Sequence, residues 1–251
     1  MRGLRASAVV RSAMQALGGL LCVSISLAAC SHDGEPAELA IWRIVDQGCN
    51  TRPQEPPLQP RRDLACDLPQ GYAILKDRCG PTHFLLIPTA RRTGVESPEL
   101  QLPAEPNYFE LAWEERGRSL SEASAPGEAD VGLAINSRYG RSQSQLHIHI
   151  DRLRREVRSA LQGLQKPLPA DTQLALMGHR YRVDHLQTLS VSPFILVAHE
   201  WGAQTTEERA RLTLAVVSDG DAGFFLLSDR ADLGVLDRGH AEELLLAHSC
   251  R

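Results

Sequence analysis

Residues 145–150 read Gln-Leu-His-Ile-His-Ile, and this alternation constrains the fold more than any other stretch of the chain. In an extended strand, a two-residue period puts Leu146, Ile148 and Ile150 on one side and Gln145, His147 and His149 on the other. The first side needs a core. The second carries two imidazoles about 6.5–7 Å apart along the chain. Upstream, Val131, Leu133 and Ile135 alternate with Gly132, Ala134 and Asn136, which predicts another half-buried strand. Between the two lies a polar loop, residues 136–144, with the guanidiniums of Arg138 and Arg141, the hydroxyl of Ser142, the amide of Asn136 and a glycine. Such a loop suits phosphate. Arginine binds phosphate oxygens bidentately, and glycine lets backbone N–H groups come close. A neutral imidazole beside it can attack phosphorus and hold the group covalently.

The other periodic segments are consistent with an α+β chain. Leu39, Ile41, Trp42 and Val45 mark one face of a short helix over residues 38–46. Residues 72–75 and 84–87 read as two strands joined by a turn at 77–81. Asn107 with Glu110 is a capping box that opens a helix, and Pro126-Gly127 marks a break. Residues 152–164 predict a basic amphipathic helix. Residues 181–189, 212–217 and 224–227 read as strands, the last two joined across Asp219-Gly220-Asp221, and residues 241–247 as a closing helix. No internal repeat is visible.

The first thirty residues read as an export signal. Arg2, Arg5 and Arg11 precede an apolar run that closes on Leu27-Ala28-Ala29-Cys30, which resembles a bacterial lipoprotein box. The expectation is cleavage before Cys30 with lipid on its thiol; an uncleaved anchor is the alternative. Either way the body lies on the extracytoplasmic side of the bacterial cell envelope, tethered to a membrane. Four cysteines remain in the body, Cys49, Cys66, Cys79 and Cys250, which suggests two disulfides with three possible connectivities. Cys49 and Cys66 flank a proline-rich loop that cannot hold itself by backbone pairing, so they are the first candidate pair. Residues 31–68 are thus expected to be a helix and a closed loop, and residues 69–251 the catalytic domain.

Removing the signal leaves 24 Lys and Arg against 31 Asp and Glu, since three of the 27 basic residues and none of the acids lie within it. An acidic body argues against nucleic acid as a partner, so phosphate chemistry must rest on a local basic site.

The stretch 136–150 resembles the histidine-triad superfamily, whose mark is His-x-His-x-His after a phosphate loop. Within it the chain is similar to the CDP-diacylglycerol diphosphatase branch, which carries Asn-Ser-Arg-x-Gly-Arg before x-x-His-Ile-His-Ile. Residues 71–76, Leu85-Leu86-Ile87-Pro88-Thr89 and Glu96-Ser97-Pro98 agree as well. The resemblance implies a histidine-triad-like antiparallel sheet with packed helices and a C-terminal extension. It also implies hydrolysis of CDP-diacylglycerol, presented in a bilayer, to CMP and phosphatidate, with no cofactor. His147 takes the nucleophile's place, and His149 contacts the phosphate or leaving group. Asn136, Arg138, Arg141 and Ser142 hold phosphate oxygens. Gln145 stands where the first triad histidine would be and orients the site through its backbone carbonyl. Arg91 or Arg92 stands near the place where relatives carry a further histidine.

Two other readings remain. A nucleotidyltransferase of the same fold would pass the nucleotide to an acceptor other than water. A non-catalytic exported lipoprotein would use the histidine pair to bind a metal, with His179, His185 or Asp151 as third ligand. His83, His179, His185, His199, His240 and His248 are scattered and receive no chemistry from the sequence.

Overall fold

The computed structural model describes residues 36–50, 61–78, 80–120, 130–221 and 223–242. The signal and Cys30, Cys79, Cys250, the Pro126-Gly127 break and most of the closing helix lie outside these residues. Among the described residues, no helix is long and apolar enough to cross a membrane.

Nine antiparallel strands form one sheet in the order β1-β2-β3-β5-β4-β8-β9-β7-β6. The chain opens with helix α1 (Ala40–Cys49), then β1 (Leu64–Asp67), β2 (Tyr72–Lys76) and β3 (Phe84–Pro88). Helices α2 (Tyr108–Glu114) and α3 (Gly117–Leu120) precede β4 (Val131–Ile135) and β5 (Ile148–Arg152). Next come α4 (Arg155–Gln162), β6 (Gln173–Leu176), β7 (His179–Leu186), α5 (Pro193–Glu200), α6 (Thr206–Ala210), β8 (Leu212–Ser218) and β9 (Phe224–Arg230). Cys66 sits in β1 and is disulfide-bonded to Cys49 at the end of α1, so the expected pair is formed and the segment before residue 69 supplies an edge strand, while the expected proline-rich loop at 51–60 lies outside the described residues.

A pattern the sequence did not show emerges from this order. A hairpin, a helix and a second hairpin occur twice: β2–β3, α2, β4–β5, and then β6–β7, α5, β8–β9. The two copies meet where β4 pairs with β8, with Leu133 opposite Val216 and Ala134 opposite Ala215, and run outward in mirrored order. The C-terminal third therefore supplies four of the nine strands. The copies share topology but differ where chemistry would sit. The first joins its second hairpin through residues 136–147, the other through the short turn between β8 and β9.

One face of the sheet is covered by α2 and α5. Leu133, Ile135, Ile148, Ile150, Leu214 and Leu226 pack beneath Phe109 and Phe194, whose rings lie 5.1 Å apart. The opposite face has two separate covers. Helix α1 packs Val45 on Ala73, Leu85 and Ile87; α4 packs Val157 and Leu161 on Ala215, Val217 and Leu227. Because both faces are covered, all five residues of β4 are buried and the strand is not half-buried as its alternation suggests. Ala134 lies in the cluster beneath α4.

Several boundaries also move, and the strand expected over 181–189 runs from His179 to Leu186. The strand expected from Gln145 starts at Ile148 and continues through Asp151 and Arg152, and the following helix starts at Arg155. Hydrogen bonds from the Gln145 side-chain amide, and from Leu146 N–H to the Arg92 carbonyl (2.6 Å), hold these two residues outside the ladder. The helices over 193–200 and 206–210 and the strand β6 had no clear periodic signal in the sequence.

Candidate active site

Between the two covers on the second face lies a polar strip that starts from Gln145. Its buried amide donates to the carbonyls of Pro88 (3.1 Å) and Ala90 (2.9 Å) and accepts from the backbone N–H of Arg92 (3.2 Å). These bonds fasten the chain before β5 to the end of β3. The Gln145 side chain is therefore part of the scaffold, and its own backbone carbonyl is left to face His147.

That carbonyl is 2.7 Å from Nδ1 of His147. A carbonyl can only accept, so Nδ1 carries the proton and Nε2 is left with its lone pair. Burial pushes the His147 pKa below the usual histidine value, with the Arg141 charge adding to the shift and the carbonyl bond opposing it. The ring is thus held neutral with a fixed tautomer, which is the form a nitrogen nucleophile needs.

The His149 ring centroid lies 5.0 Å from that of His147. Its Nδ1 is 2.9 Å from Nε2 of His83 and 3.7 Å from a Glu242 carboxylate oxygen. Nδ1 of His83 is in turn 3.6 Å from Asp77. If the His83 Nδ1 proton faces Asp77, its Nε2 accepts and His149 Nδ1 donates, so every contact runs from donor to acceptor. Residues on either side hold this chain in place. The Ser119 hydroxyl donates to the Thr82 carbonyl (2.7 Å), and the Thr82 hydroxyl donates to Asp151 (2.8 Å). Asn136 is buried and spends both ends of its amide on Glu242, accepting from its N–H at 3.0 Å and donating to its carboxylate at 3.2 Å.

The phosphate-loop residues divide. Arg138 is more than half exposed and only 3.8 Å from Glu207. Arg141 is buried and held in a fork by Glu96, one arm at 2.7 Å, with a further bond to the Thr93 carbonyl. Arg91 donates to the Ser144 hydroxyl at 3.3 Å and lies over the Trp42 ring at 5.2 Å, whereas Arg92 is paired with Glu105 at 2.7 Å. An open cleft of about 770 Å³ brings Arg138, Arg141, Ser142 and Ser144 together, with Glu38 and Thr206 on its walls. Gly140 serves a different purpose from the one its loop suggests. A Cβ there would lie 2.3 Å from His240 and 2.7 Å from the Gly239 carbonyl, so its bareness admits residues 238–240 rather than a phosphate.

A family model described as CDP-diacylglycerol pyrophosphatase matches residues 37–251. The chain belongs to that family. A CDP-diacylglycerol pyrophosphatase of Yersinia pestis is 39% identical over 224 residues, covering 84% of each chain. The family match spans both topological copies, so the second half is part of the family's body.

The structure adds His83, Glu96, Glu242 and Trp42 to the neighbourhood of the site. His83 directly precedes β3, and the pairing of Leu85 with His149 puts it diagonally beside the second imidazole. That cross-strand register carried no sequence signal. The expected third metal ligands lie elsewhere: His179 contacts Asp237, His185 contacts Asp219, and Asp151 contacts Thr82. Among the described residues two groupings have ligand atoms within 4.8 Å of one another: His83, His149 and Glu242, all buried, and His179, Asp229 and Asp237, half-buried.

Proposed function

We propose that this chain hydrolyses CDP-diacylglycerol to CMP and phosphatidate through a covalent nucleotidyl-histidine. The observation that carries the proposal is the 2.7 Å bond from His147 Nδ1 to the Gln145 carbonyl, which leaves Nε2 as the basic atom of a neutral ring. Nε2 attacks the phosphorus next to cytidine, forming an N–P bond as the P–O bond to phosphatidate breaks. His149 in its protonated form, with Nδ1–H held by His83 and Glu242, gives its Nε2 proton to the departing oxygen. Water then attacks the same phosphorus, the N–P bond breaks, CMP leaves, and the water's proton returns to the histidine chain. Arg138, Arg141 and Ser142, which share the open cleft, and Arg91 beside Ser144 would stabilise charge on the phosphoryl oxygens. The repeated hairpin–helix–hairpin unit supports a histidine-triad-like fold present twice, with the polar loop and the His147–His149 pair in the first copy. We further propose that the N-terminal segment tethers the body to the extracytoplasmic face of a bacterial membrane, with lipid on Cys30.

The test is CMP release from CDP-diacylglycerol by the wild type and by His147→Ala, each with and without chelator. Release by the wild type in chelator, abolished by the substitution, supports the nucleophile. Full activity of His147→Ala overturns it. Adding alcohols or sugars as competing acceptors separates hydrolysis from nucleotide transfer. The grouping of His83, His149 and Glu242 favours one second reading, a bound divalent cation, and loss of activity in chelator restored by zinc would bring it forward.

A further inference from the structure

After β9 the chain makes a small loop whose residues 232–236 are all exposed. Three of its side chains are apolar: Leu233 is 41% exposed, Val235 73% and Leu236 87%. Single exposed hydrophobic residues are ordinary, but three in four consecutive positions are not. The loop is also built to stay in shape. The Asp232 side chain accepts from Gly234 N–H (3.0 Å), and Asp237 N–H returns to the Asp232 carbonyl (2.9 Å). His179 binds the Asp237 carboxylate from the neighbouring strand at 2.9 Å. Leu236 has φ +63°, a conformation natural to glycine or asparagine and costly for leucine. A position that favours Gly or Asn thus carries a large apolar side chain held almost fully in solvent.

The loop runs directly into the active site. Two residues past Leu236, the Arg238 carbonyl accepts from the Ser137 hydroxyl, and the Gly239 carbonyl accepts from Ser137 N–H at 3.0 Å. His240 fills the space that Gly140 leaves open. Six residues past Leu236, Glu242 faces His149. Those six residues span at most about 20 Å. Exposed charges on the neighbouring segments are Arg138, Arg211, Arg230 and Arg238, with Glu207, Glu208 and Asp232. An apolar tip with exposed arginines on the flanking segments fits the boundary between phospholipid headgroups and acyl chains.

We propose that residues 232–236 form an interfacial wedge that inserts Val235 and Leu236 into a phospholipid bilayer and holds the mouth of the site against the membrane. This rests on the lipid-diphosphatase reading above and adds how a substrate embedded in a bilayer reaches His147. The wedge acts on access, not on the chemical step.

Two readouts on the full chain test it. In the first, Val235→Trp is mixed with vesicles of phosphatidylethanolamine and phosphatidylglycerol containing bromine-labelled acyl chains. The introduced tryptophan should be quenched by the brominated lipid and shielded from aqueous iodide, above the signal of the native tryptophans. Iodide access without lipid quenching overturns the wedge. In the second, Val235→Ser combined with Leu236→Asn, which preserves the turn, is assayed on two substrates. The kcat/KM on CDP-diacylglycerol in vesicles should fall at least tenfold, while that on a short-chain analogue dispersed as monomers should stay unchanged. No loss on vesicles, an equal loss on both substrates, or dissociation of a vesicle-free dimer by the double variant also overturns the proposal. If the wild type hydrolyses neither substrate, the hydrolase reading fails while the quenching result still decides the wedge.

Discussion

Nε2 of His83 lies 2.9 Å from Nδ1 of His149, although 66 residues separate them, and the two rings stack with centroids 5.1 Å apart. The contact exists because β3 pairs with β5 in a register that sets Leu85 opposite His149. It gives the second imidazole of the site a fixed partner at Nδ1.

His83 should therefore act as a positioning residue through His149. His83→Ala is expected to lower kcat roughly 10- to 100-fold, the lower end of what a general acid contributes, with little change in KM. His83→Gln, which keeps a polar group in the same place, should recover part of the loss. Steady-state kinetics on both variants check this, and a change confined to KM would contradict it.

The depressed pKa of His147 sets the sign of the acid limb. Attack requires the neutral ring, and burial keeps the ring neutral to lower pH than an ordinary histidine. The limb of kcat/KM that belongs to His147 should fall below pH 6.5, the unperturbed value. A pH–rate profile on monomeric short-chain substrate measures it, and a limb above that value would mean that another group controls the profile.

Glu200 offers an independent pH test far from the chemistry. Burial and the nearby Asp184 raise its pKa to about 7, with Arg182 only partly opposing them. A carboxyl raised in the folded state binds its proton more tightly there than in the unfolded chain. The stabilisation is thus fully present below about 4.5, the unfolded value, and is lost as pH rises through about 7. Glu200→Gln should remove this dependence and stabilise the protein at pH 8 by on the order of 1–3 kcal/mol. Urea unfolding at several pH values reads both effects.

The pairing of Glu96 with Arg141 predicts a stability defect before a catalytic one. Both side chains are buried, at 6% and 7% exposure, so removing the carboxylate leaves a guanidinium without its counterion. Glu96→Ala should cost about 3–5 kcal/mol in unfolding free energy. A cost below about 1 kcal/mol would mean that solvent reaches the pair freely.

The bond between Cys49 and Cys66 closes a loop of sequence separation 17. Replacing both cysteines by alanine should lower stability by about 3 kcal/mol through the freed unfolded chain. Thermal unfolding of the double variant under oxidising conditions tests this without disturbing other cysteines.

The sequence by itself determined the parts that depend on local pattern and chemical type. The period of two in residues 145–150 set which residues face the core and which face the site. The Asn-Ser-Arg-x-Gly-Arg loop and its His-x-His strand pointed to the family, and the proline-rich segment pointed to the Cys49–Cys66 bond. These signals are legible because side-chain direction, turn chemistry and loop entropy act over a few residues at a time. Tertiary structure alone decided what depends on strands meeting from distant parts of the chain. It put His83 and Glu242 beside His149, enclosed Arg141 with Glu96 and turned Asn136 toward Glu242. It also doubled the hairpin–helix–hairpin unit across the β4–β8 seam and left Val235 and Leu236 in solvent next to the site. Strand register and the packing of two helical covers fix those relations, and neither leaves a periodic trace in the residues that it brings together.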